Sequence, residues 1–236
     1  VPNQEKLAQL LTKNTFADKV FFTNSGAESV ECAIKIARRF FFSRGQSSRN
    51  RIISFDGSFH GRTMGTISAA GSKKLLEGFG PKLPGFDIVK KLSLDSVEKK
   101  ISKRTSAILV EPILGEGGII TLSCSFLKGL KELCKKYNLL LIFDEVQSGI
   151  GRTGDFLSYE LCKVTPDIVA LAKGLGNGFP IGACLATEEV ANSMVPGTHG
   201  STYGGNPLGC AVAIETIKHI LKPEFLCTIR RKGDFF

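Results

Sequence analysis

The chain has 236 residues, enough for one large domain, and its apolar (42%) and charged (22%) contents are those of a globular protein. The formal net charge is +9, but the basic residues are scattered and not interleaved with aromatic residues, so we do not expect nucleic-acid binding. No apolar run approaches the roughly 20 residues that span a membrane, so we expect no membrane partner.

The cysteine and histidine residues indicate neither a disulfide framework nor a metal site. Seven cysteines, an odd number without CxxC pairs, predict reduced thiols and a cytoplasmic protein. Most of them lie in apolar patterns and are expected in the core: Cys32, Cys134, Cys184 and Cys210. The three histidines are far apart in sequence, so we predict no metal.

Strand and helix patterns alternate along the chain. Apolar runs predict strands at 19–23, 51–55, 86–89, 107–111, 139–143, 168–172 and 181–186. Helical spacing predicts helices at 30–41, 94–101 and 126–137, and a long helix from Pro207 onward. This alternation predicts an α/β fold with a mostly parallel sheet covered by helices on both faces.

Chemically distinctive residues follow several of these strands. Asn24-Ser25-Gly26, Asp144 and Lys173 each come directly after a predicted strand, and Glu111 ends one. Ligands of such sheets bind outside the carboxyl ends of the strands. These residues are therefore expected to share one site.

The pair of Asp144 and Lys173 predicts a pyridoxal phosphate enzyme. Such an enzyme needs a lysine that forms an imine with the cofactor and an aspartate that keeps the pyridine nitrogen protonated. An acid after a strand is also typical of a nucleotide-binding Walker B motif. No GxxxxGK[ST] segment occurs in the chain, which removes that alternative.

Other motifs leave two interpretations open. Ser25 and Gly26 start a predicted helix, which favours a phosphate-binding cup or an ordinary capping box with Glu28. Phe59 is either a cofactor-stacking aromatic or a buried loop residue, and Arg62 is a candidate for binding a substrate carboxylate. Glu111 either acts in the site or forms a structural ion pair with an arginine. The hydroxyls of the polar loop 199–207 bind phosphate or substrate, or cap the next helix.

Together these segments resemble the class III aminotransferases of fold type I, in the ornithine-type subgroup, and are most similar to acetylornithine aminotransferases. The matching segments occur in family order: SGAES, SFHGRT, EPILGEGG, FDEVQSGIGRTG, PDIVALAKGLGNGFPIGA and HGSTYGGNPLGCA. The resemblance implies transamination of N-acetylornithine with 2-oxoglutarate, giving N-acetylglutamate semialdehyde and glutamate in arginine biosynthesis. It also implies pyridoxal 5'-phosphate as cofactor and a homodimer with shared active sites.

The resemblance also implies a role for each site residue. Lys173 and Asp144 are the expected catalytic residues. The cofactor-binding set is Ser25, Gly26, Ala27, Phe59, Asp144, Glu145, Val146, Gln147, Lys173 and Thr202. Within it, Gln147 is expected at the ring hydroxyl, and Thr202 at the phosphate of the neighbouring subunit. Arg62, Glu111 and Ser201 are expected to face the substrate, with Glu111 as the glutamate that pairs with a C-terminal arginine.

Some features depart from the family pattern. Leu114 stands where family members usually have glutamine. The chain lacks an initial methionine, and the family's chains begin earlier and continue into a C-terminal small domain. We therefore expect 1–205 to be an N-terminally truncated cofactor-binding large domain and 206–236 a long helix that leads toward a missing domain.

Alternative functions remain open at this stage. Ornithine, 4-aminobutyrate and succinyl-diaminopimelate aminotransferases share the motifs. An aminomutase of the same fold is disfavoured by Gln147. An alternative from a different class of function is that the chain is a catalytically silent fragment or scaffold.

Overall fold

The computed structural model describes residues 1–235, and its main element is a seven-stranded sheet. The strands are β1 (Lys19–Thr23), β2 (Arg51–Phe55), β3 (Phe86–Val89), β4 (Thr105–Val110), β5 (Ile113–Leu114), β6 (Ile120–Thr121), β7 (Leu140–Asp144), β8 (Ile168–Leu171) and β9 (Gly182–Ala186). The α-helices are α1 (Pro2–Lys13), α2 (Gly26–Phe42), α3 (Met64–Ala69), α4 (Lys73–Leu76), α5 (Leu94–Glu98), α6 (Cys124–Tyr137), α7 (Tyr159–Cys162), α8 (Glu188–Ala191), α9 (Pro207–Ile220) and α10 (Pro223–Phe235). None of these helices is both long and apolar enough to cross a membrane.

The order of the large sheet is β1-β9-β8-β7-β4-β2-β3. Strand β9 runs antiparallel to both of its neighbours, and all other pairings between neighbouring strands are parallel. The predicted mostly parallel α/β sheet is therefore confirmed. Because β1, β8, β7, β4 and β2 run in the same direction, the residues that follow them meet at one edge. The antiparallel β9 begins at that edge, where Gly182 pairs with Thr23.

Apolar side chains on the two faces of the sheet form two cores. Along β4, for example, Ile108 belongs to one core and Leu109 to the other, as expected where successive side chains point to opposite faces. Helices α1, α6 and α9 supply the first core, and α2 supplies much of the second. The prediction of helices on both faces is thus confirmed.

The C-terminal region differs from the predicted single long helix. Helix α9 ends at Ile220, and a separate helix, α10, begins at Pro223. Proline lacks an N–H and disfavours helical geometry in the residue before it, which explains the break. Buried residues of α9, including Ala213 and Ile217, pack in the same core as the sheet.

The prediction that all cysteines are reduced thiols is wrong for one pair. Cys124, at the start of α6, forms a disulfide with Cys162, at the end of α7. These residues are 38 positions apart, so no local pattern indicated the pairing. The predicted core cysteines, Cys32, Cys134, Cys184 and Cys210, are buried free thiols.

At Gly182 the sheet packs closely against the start of α2. A β-carbon there would lie 2.5 Å from Ser29 Oγ and 2.6 Å from the carbonyl oxygen of Ser25, and it would also contact Thr23 Oγ1. These three residues form a hydrogen-bonded group, so they have little freedom to move apart.

We predict that Gly182→Ala lowers the free energy of unfolding by about 1–3 kcal/mol, the usual cost of overpacking. Urea denaturation followed by circular dichroism measures this change. Gly233→Ala is the matched control, because a β-carbon at Gly233 in α10 would meet no atom within 4 Å. Equal stability of Gly182→Ala and the wild type would show that the contact relaxes at no cost.

Candidate active site

A cavity of about 440 Å³ opens at the carboxyl edge of the sheet. It is lined by residues that follow β1, β2, β4, β7 and β8, which confirms that these positions meet. The predicted site residues that line it are Ser25, Gly26, Ala27, Phe59, Arg62, Glu111, Asp144, Val146, Gln147 and Lys173.

The start of α2 forms one wall of this cavity. Ser25 is the N-cap, and its hydroxyl accepts a hydrogen bond from Glu28 N (3.2 Å). A β-carbon on Gly26 would lie 2.6 Å from Val146 Cγ1, so glycine permits the close approach of α2 to the loop after β7. The capping interpretation is therefore correct, and phosphate binding at this helix end stays a prediction. We call Ser25, Gly26 and Ala27 the anion cup, because a helix N-terminus attracts negative charge.

Ser29 fixes this helix end to the sheet. Its hydroxyl lies 3.0 Å from the carbonyl oxygen of Leu171, the last residue of β8, and 2.7 Å from Thr23 Oγ1. The anion cup is thereby held next to the strand that leads to Lys173.

Asp144 is the last residue of β7 and is almost fully buried, with 4% of its surface exposed. Its Oδ2 lies 2.8 Å from Nδ1 of His60, and its Oδ1 accepts a hydrogen bond from Val146 N (3.0 Å). His60 is also buried, and its Nε2 has no hydrogen-bond partner among the described residues. A buried carboxylate is costly unless it is paired, so His60 stabilises Asp144 in this position.

Glu111 lies directly beyond β4 and is also buried. Its Oε1 accepts a hydrogen bond from Phe59 N (3.3 Å), whereas no described residue bonds its Oε2. Burial, and secondly the charge of Asp144, raise the pKa of Glu111 from its ordinary value of 4.5 to about 9. At pH 7 Glu111 is therefore in its neutral form.

These three groups also have the geometry of a metal-ligand cluster. Atoms of His60, Glu111 and Asp144 that are able to bind a metal lie within 4.8 Å of one another. A protonated Glu111 is a poor ligand, because cations bind the charged carboxylate. That no metal binds here stays a prediction.

Lys173 starts a short 3-10 turn, separated from β8 by Ala172 alone, and lines the cavity. Its φ angle is 38°, in the left-handed region that residues other than glycine rarely adopt. Such strain is concentrated at functional sites, where the surrounding structure enforces it. Asp144 pairs with Ala170 in the sheet, so the acid and the lysine come from neighbouring parallel strands.

Phe59 and Arg62 form the wall that follows β2. The guanidinium carbon of Arg62 lies 5.5 Å from the centroid of the Phe59 ring, within the range of a cation–π contact. The side-chain amide of Gln147, which also lines the cavity, occupies the space that a β-carbon on Gly115 would need. An exposed guanidinium at the mouth of the cavity suits the binding of a carboxylate.

Three predicted site residues lie outside this cavity. Glu145 does not line it, because its buried carboxylate accepts hydrogen bonds from the backbone N–H groups of Ser158 and Tyr159, and its place in the cofactor-binding set stays a prediction. Burial raises the pKa of Glu145 to about 7, and these hydrogen bonds oppose the shift. Ser201 and Thr202 do not line the cavity of their own chain either, and Thr202 is exposed.

Two polar residues that line the cavity, His60 and Asn24, received no specific role from the sequence, although Asn24 was expected at the site. His60 lies in the same SFHGRT segment as Phe59 and Arg62, and Asn24 directly precedes Ser25. Their positions beside predicted site residues were the available signal. Their side-chain directions, however, depend on the three-dimensional packing.

Comparison with known proteins identifies the family. The family model "Aminotransferase class-III" matches residues 2–236. An acetylornithine aminotransferase from Agrobacterium fabrum is 56% identical over 230 residues, which cover 98% of this chain and 58% of that protein. An acetylornithine aminotransferase from Mesorhizobium japonicum is 55% identical, with 99% of this chain and 58% of that protein covered. The chain thus spans somewhat more than half the length of these curated relatives.

Solved structures agree in fold. The ornithine aminotransferase of Toxoplasma gondii has a TM-score of 0.90 at 35% identity, covering 94% of this chain and 54% of that one. A second structure of that enzyme, described as having partial occupancy of PLP at the active site, has a TM-score of 0.90 at 36% identity, covering 97% of this chain and 54% of that one. A family match over nearly the whole chain, relatives above 50% identity and this structural agreement establish that the chain belongs to the class III aminotransferases.

Proposed function

We propose that the protein is a pyridoxal 5'-phosphate-dependent aminotransferase that transfers the amino group of N-acetylornithine to 2-oxoglutarate. The observation that carries this proposal is one cavity in which an anion cup, a buried carboxylate and a strained lysine meet. The names of the relatives at 55–56% identity support the choice of amino donor.

The residues present fit this cofactor. The N–H groups at the start of α2 suit a phosphate dianion, and Gly26 removes the β-carbon that would collide with Val146. Asp144, held by His60, suits a protonated ring nitrogen, and Phe59 offers a flat apolar face for a ring. When bound, pyridoxal 5'-phosphate supplies an aldehyde that condenses with amines and a ring that withdraws electrons from the amine-bearing carbon.

Lys173 and Asp144 have different tasks in this proposal. The Nζ atom of Lys173 attaches the cofactor and, once displaced by the amino donor, takes the proton from the substrate carbon that carries the amine. Asp144 keeps a proton on the ring nitrogen by its negative charge. His60 and the N–H of Val146 hold that carboxylate in place, so no reorganisation is needed during the reaction.

Arg62 and Glu111 handle the substrate. Arg62, at the mouth of the cavity, binds a carboxylate through its two-pronged guanidinium. Burial favours the neutral form of Glu111, and an approaching cation favours its charged form, since an opposite charge lowers the pKa of a carboxyl group. This property suits a site that alternates between an amino donor and a dicarboxylate acceptor.

The biological unit proposed is a cytoplasmic homodimer with shared active sites. Thr202 is exposed and outside its own cavity, which suits a role at the phosphate of the partner subunit. Ornithine is the second candidate donor, because the chain also matches an ornithine aminotransferase structure with a TM-score of 0.90. Parallel assays of the purified full-length protein with N-acetylornithine, ornithine, 4-aminobutyrate and succinyl-diaminopimelate decide between the donors.

Replacing Lys173 by alanine should abolish transamination and the visible absorbance of the lysine-bound cofactor, because the attaching nitrogen and the proton carrier are both lost. Spectra and a coupled assay for glutamate measure the two effects. Lys163→Ala is the matched control, since Lys163 also has a positive φ (53°) but lies outside the cavity. Retention of the absorbance and normal turnover in Lys173→Ala would refute the assignment.

Asp144→Asn should lower kcat on the order of 10²–10³-fold, the size expected when one preorganised electrostatic group is removed. Steady-state kinetics measure this, with the circular dichroism spectrum as a check on folding. Asp56→Asn provides the comparison, because Asp56 also follows a strand but is exposed and does not line the cavity. A rate near that of the wild type in Asp144→Asn would assign the ring nitrogen to another acid.

Glu111→Gln should change how stability depends on pH. The pKa of Glu111 is higher in the folded protein (about 9) than its ordinary value of 4.5, so the folded state binds the extra proton between these values. Wild-type stability is therefore lost as the pH rises from about 5 to 9, by at most about 1.4 kcal/mol per pH unit from this group. Glutamine does not titrate, so the variant should gain on the wild type over this range.

Urea denaturation of the cofactor-free proteins at successive pH values measures the gap between wild type and Glu111→Gln. A gap that stays constant from pH 5 to pH 9 would show that Glu111 is not a neutral acid in the folded protein.

A further inference from the structure

The loop of residues 199–204 is attached to the start of α2 by a side-chain bridge. Asn24 Nδ2 donates hydrogen bonds to Ser201 Oγ (3.1 Å) and to Glu28 Oε2 (2.9 Å). Glu28 Oε2 also accepts a bond from the backbone N–H of Asn24 (2.8 Å), which fixes the orientation of both side chains. Ser201 Oγ accepts a second bond, from Gly204 N (3.0 Å), so the bridge reaches both ends of the turn that contains Thr202.

Two other contacts fix the base of this loop. Lys35 Nζ of α2 lies 2.7 Å from His199 Nδ1, and the His199 ring packs against Phe21 with 4.8 Å between ring centroids. At the other end, a β-carbon on Gly204 would lie 2.7 Å from Ser201 Oγ, so the turn closes tightly on the serine. The base of the loop is therefore held by its own subunit.

The tip of the loop is exposed. Thr202 is exposed, and Tyr203 has 73% of its surface accessible. A rigid base with an exposed threonine at its tip is the arrangement expected of a loop that presents a hydroxyl to another subunit, since little conformational entropy is lost on docking.

Asn24 contacts both the cavity and the loop of residues 199–204. It lines the cavity beside the anion cup of Ser25, Gly26 and Ala27, and it holds Ser201 in the loop. We infer that Asn24 and Ser201 are positioning residues that connect the phosphate cup of one subunit to the loop that the same subunit presents to its partner's cup. This inference rests on the proposed dimer with shared sites.

The connection has a directional consequence. A group that fills the cup of one subunit contacts the wall that holds Ser201, and Ser201 holds the loop that completes the other cup. The two cups of a dimer are then linked through contiguous hydrogen bonds. Loss of Ser201 should weaken the partner's site and leave the site of its own subunit unchanged.

Mixed dimers of the full-length protein, purified through two different tags, test this. One subunit carries Lys173→Ala, so that only the other subunit's site shows the visible absorbance of the lysine-bound cofactor. Loss of that absorbance during dialysis measures how tightly the reporting site retains pyridoxal 5'-phosphate. We expect Ser201→Ala or Asn24→Ala, placed in the Lys173→Ala subunit, to speed the loss about 2- to 10-fold, the effect of one neutral hydrogen bond.

Three further variants complete the design. Ser201→Ala placed in the reporting subunit should leave retention unchanged, a result that a general loss of stability would not give. Ser201→Thr, which keeps the bonded oxygen, should restore retention. Thr198→Ala is the matched control in the Lys173→Ala subunit, because the Thr198 hydroxyl bonds only the nearby carbonyl of Val195 among the bonds of the described residues.

The failures of the two proposals can be told apart. If Thr202→Ala in the Lys173→Ala subunit weakens retention but Ser201→Ala and Asn24→Ala there do not, the bridge is overturned and the shared site stands. If Thr202→Ala weakens retention only when placed in the reporting subunit, the shared site itself is wrong. Faster loss with Ser201→Ala only in the reporting subunit would also overturn the inference, since the serine would then act within its own site.

Discussion

The burial of the Asp144 carboxylate is the constraint on which the rest of the site depends. A charge at the end of a central strand, with 4% of its surface exposed, requires partners that compensate for lost water. His60, from the loop after β2, and the N–H of Val146 provide them. Burial is the main cause of the raised pKa of Glu111, beyond β4, and the charge of Asp144 is the second. One buried charge therefore makes the loops after three strands depend on one another.

Close backbone packing sets the position of the cup relative to that charge. Gly26 permits contact with Val146, two residues after Asp144, and Gly182 permits contact between β9 and the start of α2. Ser29 connects the same helix end to the last residue of β8. The distance from the anion cup to the acid and the lysine is thus fixed by small residues and buried hydroxyls. Larger side chains would force these elements apart.

Much of this arrangement could be predicted because it depends on local patterns. Apolar runs of strand length located the seven strands of the large sheet, and the residues after them were correctly expected to meet. The direction of β9 could not be predicted, because periodicity gives the side-chain face and not the strand direction. The disulfide between Cys124 and Cys162 depends on proximity across 38 residues, which spacing does not reveal.

The directions of the side chains were the second feature that could not be predicted from the sequence. Glu145 follows Asp144 directly, and adjacent residues of an extended segment point to opposite sides, so only one of the two carboxylates enters the cavity. No functional role was predicted for His60, because its contact with Asp144 joins residues 84 positions apart in the sequence. Ser201 was expected to face the substrate, yet its hydroxyl is engaged by Asn24 and Gly204 within its own chain.

The reversed direction of β9 has a mechanical consequence for the lysine. Strands β8 and β9 are hydrogen-bonded neighbours, so the segment 172–181 leaves and re-enters the sheet at the same edge. Leu175 and Ile181, both buried in the core below the sheet edge, anchor that segment at two points. These two buried side chains restrict movement of the backbone at Lys173. In the proposed reaction, the amino group of Lys173 is therefore expected to move by rotation of its four-carbon side chain.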